Sequence, residues 1–544
     1  MRQTPFCPGI VFLKQRAALL PAKRLACLLL SAGALTTCWA AETPPPETFA
    51  PEILNSMPRT TPQTPVPTGV APHSTLDSAP AAGEDNRSKT HSATQPLQPQ
   101  SVPVLTLTQV LEQVRQYHPK LFGADLERRI AGAKLLEKEG AFDPGISLDS
   151  EYLRYNDFTK KGTTSKTWDN ELTLNWLTRS GLKLSTGARH NSGDVKPPLY
   201  PTGDTGEYFM GARLPLLRGF RMNDKVAAEM QAKIGIPLAD AAFQQARLLL
   251  LQDAATAYWQ WVRSTQAVAI QRQMLDLAKV RLETVQGRVK EGDLPALDAV
   301  EAEQEVIRRQ GSLIKAERDY QKSVFYLSRY LWQANGTPSP LPLASQCLAS
   351  MPQAEPLSDD QWMEGRQMAL ERRPELQALP LQKKIIEVDR DFAKNLRLPV
   401  LDLYALPGVD TGDNSIGPTL KAGISLVVPL RQRTARGMQA AAEFKLQKLD
   451  LEQRLLLQHV LLEVDDAVSA VQAAYQQIEA ARQELDLAIR MEQGERDRFA
   501  LGDSNLFLVN QRERATAEAA LKLLDQQTHY QQAWVALQAV TNQL

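Results

Sequence analysis

The sequence predicts a mixed α+β protein, mainly helical, made of two internal repeats that each join short strands to a very long helical hairpin. Landmarks recur in order along the chain. Ala212-Arg-Leu-Pro215, Ala227-Ala228-Glu229 and Gly292-Asp293 are answered by Leu426-Val-Val-Pro429, Ala441-Ala442-Glu443 and Gly502-Asp503. The Pro and Ala-Ala-Glu landmarks lie 214 residues apart and the Gly-Asp landmarks 210, a constancy that two copies of one structural unit explain most simply. The other two signals are periodicities: two near-unbroken helical stretches with an apolar stripe in 4-3 spacing, and short runs that alternate polar and apolar residues.

In chain order, residues 1–40 read as a secretory signal: Lys14, Arg16, Lys23 and Arg24 precede an apolar run from Leu25 that ends near Cys38-Trp-Ala40, where cleavage is expected. Cys38 offers a second option, lipidation, although Thr37 directly before it matches that processing poorly. Residues 41–103 form a Pro-rich linker with Pro44-Pro-Pro46 and Thr61-Pro-Gln-Thr-Pro65; so few large apolar groups cannot offset the entropy of ordering. Past the signal only Cys347 remains, which excludes an intramolecular disulfide. No apolar run there is long enough for a helical membrane span, so any span must be a closed β-barrel.

The first repeat, 104–335, opens with a helical pattern from Leu107 to about Gly140. Alternating segments follow at Ile146 to Tyr155, Glu171 to Leu177, Leu182 to His190 and Tyr208 to Leu214. A rod then runs from Asn223 to about Glu291, roughly 100 Å at 1.5 Å per residue, with Leu251, Ala255, Tyr258 and Val262 on its stripe. Gly235-Ile-Pro237 predicts a kink or a restart within it. Tyr258, Trp259 and Trp261 read as interhelical packing, and Tyr152, Tyr155, Trp168 and Trp176 as aromatics at a membrane interface. After a connecting segment, 336–363, the second repeat, 364–544, holds two strand-like segments, Val400 to Leu406 and Leu420 to Val428, and a second rod from Arg433 to about Leu501. Its stripe is Val464, Val468, Val471, Tyr475 and Ile478. The entry motifs Tyr117-His-Pro119 and Arg372-Arg-Pro374 lie 255 residues apart, so the first repeat carries roughly forty extra residues in its β-like part.

Sixty-two basic and 62 acidic residues balance, giving no sign of a nucleic-acid partner. There is no phosphate loop, HExxH or CxxC pair, and the six histidines are scattered, so neither enzymatic chemistry, a cofactor nor a metal site is expected.

Entry helix Leu105 to Pro119, strand-to-helix transition Pro215-Leu-Leu-Arg-Gly219 and tips Gly292-Asp-Leu-Pro-Ala-Leu-Asp298 and Gly502-Asp-Ser-Asn-Leu-Phe-Leu-Val-Asn-Gln511 together resemble the TolC family of outer-membrane efflux ducts, over residues 105–544. The resemblance implies a homotrimer in outer-membrane lipid, with four strands per chain in a twelve-stranded barrel continued by a periplasmic coiled-coil tunnel. It also implies a periplasmic adaptor protein and an inner-membrane transporter as partners. An independent constraint agrees: a few strands cannot close a barrel, and open edges are not tolerated in lipid. The hairpin Trp168 to His190 departs from the four-strand pattern, being either extra wall or an external element. The resemblance further implies that Gly292, Asp293, Gly502, Asp503 and Ser504 meet the adaptor, and that the aperture is formed at Asp298 and at Leu508, Asn510 and Gln511, where better-known members carry carboxylates. For Asp298 a solvated helix-start acid is the competing reading. Export of substrates through a passive duct is the expected function; a non-conducting envelope-spanning coiled-coil protein is the alternative, which would need no strands before each rod.

Overall fold

A computed structural model describes residues 103–156, 162–195 and 199–544; the signal, Cys38 and the linker up to residue 102 lie outside the described residues. Helix α1 (Leu107–Tyr117) starts at a reciprocal cap, in which Thr106 Oγ1 accepts from Gln109 N and Gln109 Oε1 from Thr106 N. It buries Val110, Leu111 and Val114. The single helix expected up to Gly140 is in fact two, because the chain breaks at His118 before α2 (Pro119–Glu139). Pro119 excludes helical geometry from the residue ahead of it, and His118 adopts φ −75°, ψ 125°. Its Nδ1 accepts from Lys120 N at 3.1 Å, capping α2, and its Nε2 lies 3.3 Å from Arg329 O. The tautomer with hydrogen on Nε2 satisfies both contacts.

Six strands follow the expected segments with longer bounds: β1 (Gly145–Asn156), β2 (Thr164–Leu177), β3 (Lys183–Gly193), β4 (Gly206–Pro215), β5 (Val400–Thr411) and β6 (Pro418–Val427). They form one antiparallel sheet in the order β1-β2-β3-β4-β5-β6, so the extra hairpin lies inside the sheet. Register and alternation sort the residues onto two unlike faces. Ile146 pairs with Leu174, Leu148 with Leu172, Tyr152 with Trp168, Trp176 with Leu184, Thr186 with Met210, Tyr208 with Val409 and Leu403 with Ile424, all on one largely apolar, solvent-exposed face. Asp149, Glu171, Arg189 and Glu207 pair in a row on the opposite face. Tyr152 and Trp168, with ring centroids 5.0 Å apart, sit near one end of the apolar face and Trp176 near the other. Tyr155 instead points to the polar face, as its odd position in β1 requires.

The helices stand side by side. Helix α3 (Asp224–Lys290) is flanked along one half by α2 and α6 (Pro374–Asn395) and along the other by α4 (Ala296–Ser328) and α8 (Leu506–Val540). Helix α7 (Arg433–Ala500) packs on α6 and then α8, and the short α5 (Asp359–Arg372) lies against it, as α1 lies against α3. The 4-3 stripes are the seams: Leu251, Ala255, Tyr258, Val262, Val464 and Val471 are all fully buried. Tyr258 also donates to Leu105 O at 2.9 Å, and Trp259 and Trp261 pack with it among α1 residues. Helix α3 continues through Pro237, so the restart expected there does not occur; packing on α2 and α6 carries the segment across one lost hydrogen bond. No described helix is long and apolar enough to cross a membrane.

Burial, assisted by Lys120, holds the His118 imidazole below the ordinary histidine range against the opposing Arg329 carbonyl. The fold therefore favours the neutral ring. Its contribution is complete above an unfolded pKa of about 6.5 and is lost as pH falls through that value toward the lower folded one. Asparagine would keep a cap acceptor without titrating. From pH 7 to pH 5 the unfolding temperature should fall more steeply for the native chain than for His118→Asn; parallel curves would show that His118 plays no part.

Candidate functional site

Each long helix ends in the same backbone device. Asp293 N donates to Arg288 O at 2.9 Å and Gly292 N to Val289 O at 3.1 Å; Asp503 N donates to Arg498 O at 2.9 Å and Gly502 N to Phe499 O at 3.1 Å. This pair of hydrogen bonds needs a left-handed residue after the helix, and Gly292 and Gly502 supply φ +86° and +85°. A β-carbon at either glycine would meet open space, so glycine is required here by φ and not by crowding. Return helix α8 is capped by Asn505 Oδ1, which accepts from Leu508 N, whereas α4 begins at Pro295 without a side-chain cap. Leu506, 1% exposed, seats itself among Val285, Ala302, Leu294 and Phe499, and the Arg288 guanidinium lies 5.7 Å from the Phe499 ring centre. The two hairpin tips thus share one small core.

Asp293 and Asp503 are exposed just past the turns. Ser504 is half-buried and donates to Glu495. Asp298, half-buried on the first turn of α4, has no side-chain hydrogen bond or ion pair among the described residues. Leu508 and Gln511, three residues apart, share a face of α8. Asn510 does not join them: it is 2% exposed, accepts from Arg281 at 3.4 Å and donates to Glu301 at 3.3 Å.

Asn510 instead belongs to a buried charge network that sequence reasoning missed. Glu513 on α8 receives the Arg281 guanidinium from α3 in a two-pronged pair, and Arg496 of α7 at 2.7 Å. Glu305 on α4 receives Arg514 of α8 at 2.8 Å and Arg309 at 2.8 Å. Both glutamates are 4% exposed. The missed signal is register: Glu513 follows Leu506 and Val509 on the apolar stripe of α8, and Glu305 follows Ala302 on that of α4, where a charge must find a partner. Removing one partner of such a pair is costly, because it leaves a buried charge uncompensated. Among the described residues no group of three or more His, Cys, Asp or Glu is arranged to hold a metal. Cys347 is a free, partly buried thiol, and burial raises its pKa.

A family model described as outer membrane efflux protein matches residues 181–331 and 365–543. No curated protein matches the chain. The fold is similar to solved structures of CusC (TM-score 0.60, 15% identity, covering 80% of this chain and 91% of that one) and the CmeC outer membrane channel of Campylobacter jejuni (0.58, 12%, 85% and 94%). It is also similar to the outer membrane protein VceC of Vibrio cholerae (0.58, 16%, 80% and 95%).

Glu513→Ala leaves the Arg281 guanidinium without a carboxylate partner among the described residues, a loss of about 3–5 kcal/mol for a buried pair. Amide exchange should quicken in the tip segments while the strands stay protected, and Glu513→Leu combined with Arg281→Leu should restore much of the protection. Unchanged exchange at the tips in Glu513→Ala would refute a role for the network in holding them together.

Proposed function

The chain belongs to the outer membrane efflux protein family, and from that premise we propose a homotrimeric duct whose sheets close a barrel in outer-membrane lipid and whose helices continue it as a periplasmic tunnel. Efflux through the outer membrane is the family's work. The observation that carries the assembly is the match between two unfinished lateral edges of one chain. On one edge stand β1, the exposed Phe122, Leu126 and Ile130 of α2, and Val300, Ile307 and Ile314 of α4 at seven-residue intervals. On the other stand β6 and the exposed Phe444, Leu451, Leu455 and Leu462 of α7. A strand edge and two coiled-coil stripes meeting a strand edge and one long stripe is a head-to-tail contact, and such a contact forms a ring where its rotation closes. The apolar sheet face then meets lipid and the face with Asp149, Glu171, Arg189 and Glu207 meets water.

The duct performs no chemistry. Substrates enter through an inner-membrane transporter, which supplies the energy, and a periplasmic adaptor protein joins that transporter to the tips through Gly292, Asp293, Gly502, Asp503 and Ser504. Three copies each of Asp298, Leu508 and Gln511 line the aperture. Leu508 and Gln511 close it by packing and neutral polar contact, leaving Asp298 as its carboxylate.

The detergent-purified protein should weigh three chains per particle, and a folded monomer would overturn the assembly. Gly502→Trp should abolish export without loss of trimer, whereas Gly502→Ala, which adds only about 1–2 kcal/mol of left-handed strain, should be mild; export surviving Gly502→Trp would place docking elsewhere. In single-channel recordings divalent block from the periplasmic side should be weak, since hard cations need several convergent oxygens, and weaker still in Asp298→Ala. Tight block that persists in Asp298→Ala would assign the aperture to other residues.

A further inference from the structure

Hairpin β2–β3 exceeds the four strands per chain that the resemblance implies, and three features build it into the wall. Strand β2 pairs with β1 from Asn156 to Gly145, and β3 pairs with β4 from Lys183 to Arg189, so removing the hairpin would strip β1 of its partner strand within the chain and β4 of one of its two. Its turn is fastened to the helices below: Arg179 donates to Glu229 of α3 at 2.9 Å and its guanidinium lies 4.9 Å from the Phe142 ring centre. Arg221 N donates to Ser180 O at 3.1 Å, and Gly181, at φ +91°, stands so close to Gly219 that a β-carbon would lie 2.4 Å from its carbonyl oxygen. The hairpin's two faces also continue those of its neighbours. Laid against the outside of a barrel by its apolar face, it would present Asp169, Glu171 and Arg189 to lipid.

The widths agree as well. Six strands spaced ~4.8 Å and tilted ~40° span about 38 Å of wall, and four helices at ~9.5 Å span about the same, whereas four strands at that tilt span only about 25 Å. At these typical values the six-stranded sheet and the four-helix layer would span similar arcs.

We infer that the barrel of this protein is closed by eighteen strands, with β6 of each chain hydrogen-bonded to β1 of a second copy. This rests on the trimeric reading above. Eighteen strands give a backbone diameter of about 36 Å, the width of a general porin, against about 24 Å for twelve at the same tilt. Such a barrel admits wider cargo than a twelve-stranded one at the same tilt.

Electron cryomicroscopy of the detergent-purified particle should count eighteen strands in three chains. Cysteine pairs give a second measure in a Cys347→Ala background: Ser147→Cys on β1, combined in turn with Thr419→Cys, Lys421→Cys or Ser425→Cys on β6, should yield disulfide-linked dimers and trimers in at least one register. Twelve strands in a trimer, or a Ser147→Cys and Gly211→Cys disulfide within one chain, would expel the hairpin and overturn the inference while leaving the trimer standing. A particle of other than three chains would overturn the trimeric reading itself.

Discussion

Backbone groups have no water to turn to inside a bilayer, and every other feature of this chain answers to that. Strands β1 and β6 each leave one row of amide and carbonyl groups unpaired within the chain. In water such rows are a liability; in hydrocarbon they are untenable. The sheet accordingly puts its aliphatic and aromatic residues on the face opposite to the carboxylates, the reverse of a globular domain that hides its apolar side. In the proposed duct, closure by further copies would set the task of the helices, since a ring of sheets has to be continued by a ring of helices.

Two rods make that continuation. Helices α3 and α7, 67 and 68 residues long, run through both layers of the helical wall, while α2 and α6 fill the layer near the strands and α4 and α8 the far one. Four helices thus lie abreast at every level. Near the change of layer the two largest apolar clusters form, one where α1 meets Tyr258 and Trp261 and one where α5 meets Val460 and Val464. The short helices act as bands across the rods where their neighbours change.

What could be read from the sequence is what depends on local periodicity. Strand segments alternate and seams repeat every four and three residues, and those positions are strands and seams in the fold. Where the hairpin Trp168 to His190 would go could not be read, because strand pairing is a choice among distant partners. Pro119 marked the break at His118, yet the strong helical pattern on both sides concealed it. At Pro237 the sequence offered a kink or a restart, and the restart does not occur: contacts from α2 and α6 carry the helix past one missing amide. At the tips, linear matching grouped Asn510 with Leu508 and Gln511, although two residues along a helix is a turn of about 200° and carries it to the inner side. The glutamates at 305 and 513 looked like ordinary surface charges until their register against the apolar stripe was known.

The bands at α1 and α5 turn each rod into a lever with a fulcrum. From Tyr258 to Lys290 is about 48 Å of helix, so a tilt of only ~5° at the fulcrum swings the end by about 4 Å. In the proposed assembly, a partner gripping the ends would work with the mechanical advantage of that arm. The strand end of each rod lies comparably far from the band on its other side, about 51 Å for Asp224 to Tyr258, and leads directly into a strand, so a tilt there works against the pairing of the sheet.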